Sequence, residues 1–137
     1  MSVKKISISI IVVLVLALSG YYVYSRYLAP KLRLSEWESR TKELTSKDVF
    51  KEGDIIFQAS SSRQTRAIQL ATHSQWSHIG IILKDNNELY VYEAVQPVKI
   101  TPLAVWLSKS LDGIFAVKRL INSESILNTD NLQKIRS

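Results

Sequence analysis

Gly53-Asp54-Ile55-Ile56-Phe57, Trp76-Ser77-His78-Ile79-Gly80-Ile81-Ile82 and Leu89-Tyr90-Val91-Tyr92-Glu93-Ala94 are the segments whose reading decides the fold. Each is a short run of aliphatic and aromatic residues bounded by turn formers, the pattern of a strand. Asp85-Asn86-Asn87 is hairpin-turn chemistry, so Ser77–Leu83 and Leu89–Ala94 are predicted to pair antiparallel. Facing residues in such a pair have a constant sum of positions. A two-residue turn at Asp85-Asn86 puts His78 opposite Glu93. A turn at Asn86-Asn87 puts Gly80 there instead and makes His78 and Glu93 diagonal neighbours on one face. Either lets a carboxylate orient an imidazole and favour its protonated form; a three-residue loop would change the facing. A histidine and a glutamate so placed are half of a catalytic triad, and the chain has no cysteine to complete it.

Working outward, Ile55–Gln58 is an expected first strand. Ser60-Ser61-Ser62 supply an N-cap for a helix from Arg63 to Thr72 whose apolar face is Ala67, Ile68, Leu70 and Ala71. Val98–Ile100 adds a short edge strand. Thr101-Pro102 opens a helix to about Ser110, and Gly113–Leu120 forms another strand. Thr129 or Asp130 would cap a last helix too short to be stable alone. The fold class is α+β, a small antiparallel sheet with packed helices. The domain, residues 48–137, is expected to be incomplete at its C-terminal end and to leave an edge or apolar face open.

Before it, Lys4-Lys5 precede an apolar run from Ile6 to Leu18 that continues through Tyr21-Tyr22-Val23-Tyr24. About 20 apolar residues cross a bilayer as a helix. Residues 1–28 read either as a signal peptide, with small residues at Ala17 and Ser19, or as an uncleaved anchor ending in interfacial tyrosines. The continuation past the candidate cleavage site favours the anchor, with the domain outside the cytoplasm. Ala29-Pro30 should end this segment. Residues 29–47 then make a linker with a short helix to Leu44, opened by the capping box Ser35-Glu36-Trp37-Glu38.

The formal charge of +6 is local. Five of the 18 bases lie in the first 33 residues with no acid among them, leaving 13 bases against 12 acids in the remainder. The excess is juxtamembrane, where cations meet anionic headgroups, so the expected partner is a membrane and no nucleic acid. Absence of cysteine removes disulfides, thiolate metal sites and a cysteine-linked lipid anchor. With only two histidines there is no zinc ligand set, and no glycine-rich phosphate loop is present. No cofactor and no metal are expected.

A lone strand histidine is usually structural, but Ser77 and Gly80 leave the face of His78 uncrowded. His73 sits at a helix end, where the dipole favours it. Asp54 reads as a turn or capping carboxylate, and Trp76, Tyr90, Tyr92 and Trp106 as core or groove walls.

Gly53-Asp54-Ile55-Ile56-Phe57, Ala67-Ile68-Gln69-Leu70-Ala71-Thr72, Ser77-His78-Ile79-Gly80-Ile81, Val91-Tyr92-Glu93-Ala94 and Thr101-Pro102-Leu103, in this order, resemble the permuted papain-like amidases, the YaeF/YiiX branch of the NlpC-like cysteine peptidase superfamily. The resemblance covers about Val49 to Leu120. It implies a thiol hydrolase of amide or ester bonds in cell-wall peptides or lipids, with His78 as general base and Glu93 as its orienting acid. It also implies a nucleophilic cysteine downstream, in a region that Ser137 precedes. No serine or threonine has a stated claim to that role, Ser60–Ser62 being a helix cap. The expectation is a membrane-anchored member that is inactive alone. The alternatives are a binding module for peptidoglycan peptide or acyl lipid, and one half of a split enzyme completed by a cysteine-bearing partner chain.

Overall fold

The computed structural model describes residues 3–60, 62–95 and 97–136, and the chain divides into two units, residues 1–36 and 37–137. The first contains α1, Val3–Val23, followed by a five-residue π-helical turn, Tyr24–Leu28. From Ile8 to Leu18 every residue is exposed. It is the one helix among the described residues long and apolar enough to cross a membrane, which is compatible with an anchor or with a signal sequence. The expected break at Ala29-Pro30 is absent. Pro30 is the second residue of α2, Ala29–Ser46, directly after the π-helical turn. The preceding π turn lets Ala29 N–H bond to Tyr24 O, which absorbs the register change. Helix α2 therefore runs through Ser35 and Glu38, and no capping box forms.

In the second unit five strands form one antiparallel sheet in the order β4-β3-β2-β1-β5. They are β1, Ile55–Ser60; β2, His78–Asp85; β3, Glu88–Glu93; β4, Lys99–Pro102; and β5, Ser110–Lys118. Between β1 and β2 lies α3, Arg63–Thr72, with His73 as its left-handed C-cap. The helix α4 is shorter than expected, Leu103–Leu107, because Thr101 and Pro102 are still in strand β4. After β5 come α5, Ser123–Ile126, and α6, Thr129–Arg136. Asn128 caps the last helix, its side-chain oxygen accepting from Asn131 N–H at 2.9 Å, in place of Thr129 or Asp130. Arg136 ties it down by donating to Glu52 and, at 2.8 Å, to Lys84 O.

The core forms on one face of the sheet. Ile56, Ile82 and Val91 point from its central strands onto Leu103, Trp106 and Leu107 of α4, with Trp37 and Phe50 closing the cluster and Phe115 and Val117 packed against it. On the other face Ile79 and Ile100 remain more than half exposed. On α3, Ala67, Leu70 and Ala71 also stay at the surface, Leu70 being 62% exposed.

Two local constraints hold the strand ends. Gly53 has φ +84°, and a Cβ there would fall 2.0 Å from Leu127 Cδ1. Its neighbour Asp54 is fully buried and does more than shape the turn. It accepts Lys51 N–H at 2.8 Å and a two-pronged contact from Arg119, 2.7 Å from Nε to Oδ1 and 2.7 Å from Nη2 to Oδ2. The hydrogen bond to this carboxylate raises the pKa of Arg119 above its ordinary value, so the guanidinium keeps its charge.

Arg119→Met would leave that carboxylate buried without its cation. We expect a loss of about 3 kcal/mol, since breaking one side of a buried pair is costly and Arg119 is itself partly exposed; chemical denaturation monitored by tryptophan fluorescence measures it. Gly80→Ala would place a methyl 2.3 Å from Val91 Cγ1 and 3.0 Å from Tyr92 O. Overpacking of this kind should cost about 2 kcal/mol, read as a fall in the thermal midpoint.

Candidate active site

The site lies at one end of the core face of the sheet, and the β2–β3 hairpin builds it. Asp85 pairs with Glu88, so the turn is Asn86-Asn87, both in left-handed backbone at φ 44° and 69°. That is the mirror-image two-residue turn whose twist suits paired strands. Ile81 pairs with Tyr92, and one step on Gly80 faces Glu93, which makes His78 and Glu93 diagonal neighbours on one face. His78 Nδ1 is 3.7 Å from Glu93 Oε2, with side chains 21% and 10% exposed. This is ion-pair range and longer than a hydrogen bond.

Glu93 is held from the helix side. Trp106, 1% exposed, donates its indole N–H to Glu93 Oε2 at 3.0 Å. The alternation of aromatics in the sequence marks Trp106 as core, and it is core. Its second role depends on α4 crossing the sheet at this point, which no local pattern specifies.

Ser60 approaches from the other neighbouring strand. Gln58 pairs with His78 across β1 and β2, and Ser60, two residues further on, shares their face. Its Oγ lies 2.9 Å from His78 Nε2. The helix-cap reading therefore fails for Ser60. Ser62 occupies the N-cap position of α3 without a side-chain bond to the helix backbone, and its hydroxyl meets Thr65 Oγ1 at 3.1 Å instead. Ser61 lies outside the described residues.

A hydroxyl cluster surrounds Ser60. Thr65 Oγ1 donates to Ser60 O at 2.8 Å and stands 3.1 Å from Ser77 Oγ and 3.2 Å from Ser60 Oγ. Ser77 Oγ accepts Ser60 N–H at 3.2 Å, and Ser62 N–H donates to Ser60 Oγ at 3.2 Å. The sequence contained one sign of this cluster, the strand alternation that puts Ser60 level with Gln58. It could be used only once the β1–β2 register was known. The other expected residues stay apart: His73 is an exposed cap, and Asp54 is in the turn before β1.

An imidazole with a carboxylate on one nitrogen and a hydroxyl on the other is an acid–base device. The profile of the family described as "Permuted papain-like amidase enzyme, YaeF/YiiX, C92 family" matches residues 49–135. The protein YiiX of Escherichia coli (strain K12) is 47% identical over 83 residues, which are 61% of this chain and 40% of that protein. A crystal structure titled as metalloprotein yiiX from Escherichia coli O157:H7 superposes with a TM-score of 0.54 at 46% identity, over 63% of this chain and 46% of that one. The chain thus spans less than half the length of these relatives. On the profile match and the shared fold, it belongs to the permuted papain-like amidase family.

Proposed function

We propose that this chain is a membrane-anchored thiol-amidase scaffold that contributes the base, His78, and the orienting acid, Glu93, to hydrolysis of an amide or ester bond in a cell-wall peptide or lipid. The observation that carries this reading is the imidazole itself, held with Glu93 on Nδ1 and a hydroxyl oxygen 2.9 Å from Nε2. In such a site the imidazole takes the proton of the nucleophile and later returns it to the leaving group, while the carboxylate stabilises the imidazolium. No residue among the 137 is a cysteine, so a thiolate attacking beside His78 has to come from outside them. Residues 48–137 are the catalytic-family domain in this reading, and residues 1–28 anchor it with the domain outside the cytoplasm. The solved relative is titled a metalloprotein, and a ligand set for a metal is not assembled by the described residues of this chain. No three His, Cys, Asp or Glu side chains converge among the described residues, and Glu93 Oε2 already accepts from Trp106. A non-catalytic module binding the same peptides or lipids is the competing reading, and the missing thiol is what favours it.

Because the chain is free of cysteine, a single introduced thiol reports on His78 without background. Ser60→Cys puts sulfur where the hydroxyl now faces Nε2. We expect alkylation by iodoacetamide below neutral pH to be about 100-fold faster than for an exposed thiol, since a neighbouring imidazolium holds cysteine as thiolate, and to return to the ordinary rate when His78→Ala is added. An ordinary rate in the single variant would remove His78 as the base. Membrane attachment is checked separately. The full chain should stay with membranes through alkaline extraction and retain Met1 by mass spectrometry, whereas a chain beginning at Ala29 should not sediment with them.

A further inference from the structure

We infer that Ser60 is itself a nucleophile, the first member of a Ser60–His78–Glu93 relay that acylates on reactive carboxylic esters. The inference rests on the proposed role of His78 as base and adds an activity that needs no thiol.

The argument is a count of protons. A hydroxyl has one hydrogen to donate and two lone pairs to accept with. Thr65 spends its hydrogen on Ser60 O, so toward its other neighbours Thr65 Oγ1 can only accept. Three hydroxyls compete for its two lone pairs: Ser62 and Ser77, each at 3.1 Å, and Ser60 at 3.2 Å. Ser62 and Ser77 stand closer and take them, and Ser77 Oγ, already accepting Ser60 N–H, keeps its own hydrogen for Thr65. The hydrogen of Ser60 is left with its shortest contact, His78 Nε2 at 2.9 Å. Nε2 must then be the unprotonated nitrogen. The imidazole proton sits on Nδ1, on the side of Glu93 Oε2, and the indole N–H of Trp106 braces that same oxygen. This is the proton arrangement of a serine hydrolase in its resting state. The 3.7 Å between Nδ1 and Oε2 is the looser spacing common before substrate binds.

Two further groups suit the site to an acyl ligand. Ser62 N–H, at the start of α3, already points at Ser60 Oγ. Gln58, 2% exposed and paired with His78, carries a side-chain oxygen with no hydrogen-bond partner among the described residues. Buried polar atoms are rarely left unmatched; this oxygen is an acceptor, so a ligand completes it with an N–H or O–H of its own.

The step balances within the site. Ser60 Oγ forms a bond to the ester carbonyl carbon as its proton passes to His78 Nε2. The carbon–oxygen bond to the alcohol then breaks, and that oxygen leaves with the proton from Nε2. Water repeats the sequence to release the acid and restore Ser60. Esters are the expected class because their alcohols leave more readily than amines.

The test uses the full chain in detergent and a fluorophosphonate probe, which forms a phosphorus–oxygen bond to an activated serine and loses fluoride. The expected result is a single adduct that peptide mass spectrometry places on Ser60, lost in Ser60→Ala and formed about 100-fold more slowly in His78→Ala, the contribution of a positioned base. His78→Gln, closer in shape, guards against a folding artefact, with circular dichroism on each variant. No adduct on Ser60, or one formed at the same rate without His78, overturns the inference. The Ser60→Cys alkylation separates the two proposals. A His78-dependent thiol with an unreactive native serine leaves His78 as base and removes only Ser60 as nucleophile, whereas an ordinary thiol removes both.

Discussion

The turn at Asn86-Asn87 is the constraint on which the site depends. With both asparagines in left-handed backbone, β2 and β3 are joined by two residues, and Glu93 falls on the same face as His78. Side chains alternate along a strand, so a slip of one residue would carry Glu93 to the opposite face of the sheet. No other contact could then restore the pair, because Trp106 approaches only the core face. Asparagine is among the few side chains that accept this backbone readily, which is why a turn without glycine can hold the register.

From that register the energetic hierarchy follows. The apolar cluster of Ile56, Ile82, Val91, Leu103, Trp106 and Leu107 supplies the burial that orders the sheet, and the polar site is built at its margin. Trp106 belongs to both. Its ring is buried in the cluster while its N–H fixes the carboxylate that faces His78. Burial of the ring thus sets the position of the acid, and the cost of ordering Glu93 is met by packing that the fold needs in any case. Ser60 is placed in the same economical way. The hydroxyls of Thr65 and Ser77 bond the backbone of Ser60 at the end of β1, and by filling one another's hydrogen-bond capacity they and Ser62 leave the Ser60 hydrogen to the imidazole.

The same layout accounts for the surfaces left open. Ile79 and Ile100 on the outer face of the sheet, and Leu70 on α3, are exposed, although the sequence patterns them as residues to be covered. The relatives matched are more than twice as long as the matched region.

Much of this was legible in the residues. Alternating apolar runs and their turn residues located β1 to β4 to within two residues and β5 to within three, because strand period and hairpin chemistry are local. The apolar stretch from Ile6 to Leu18 determined an unaccompanied helix, since it has no polar stripe to pack against water. His78 and Glu93 could be paired from the hairpin for either two-residue turn, while a three-residue loop would have changed the facing. The nucleophilic candidate and the brace could not. Ser60 in isolation is one of three serines before a helix and reads as a cap; it becomes His78's neighbour only through the β1–β2 register, a pairing across 18 positions of chain. Trp106 reads as core, and only the seating of α4 on the sheet turns its N–H toward Glu93. Local sequence specifies backbone shape and which face is apolar, while long-range pairing decides which polar atoms meet, and at this site the chemistry lies in that meeting.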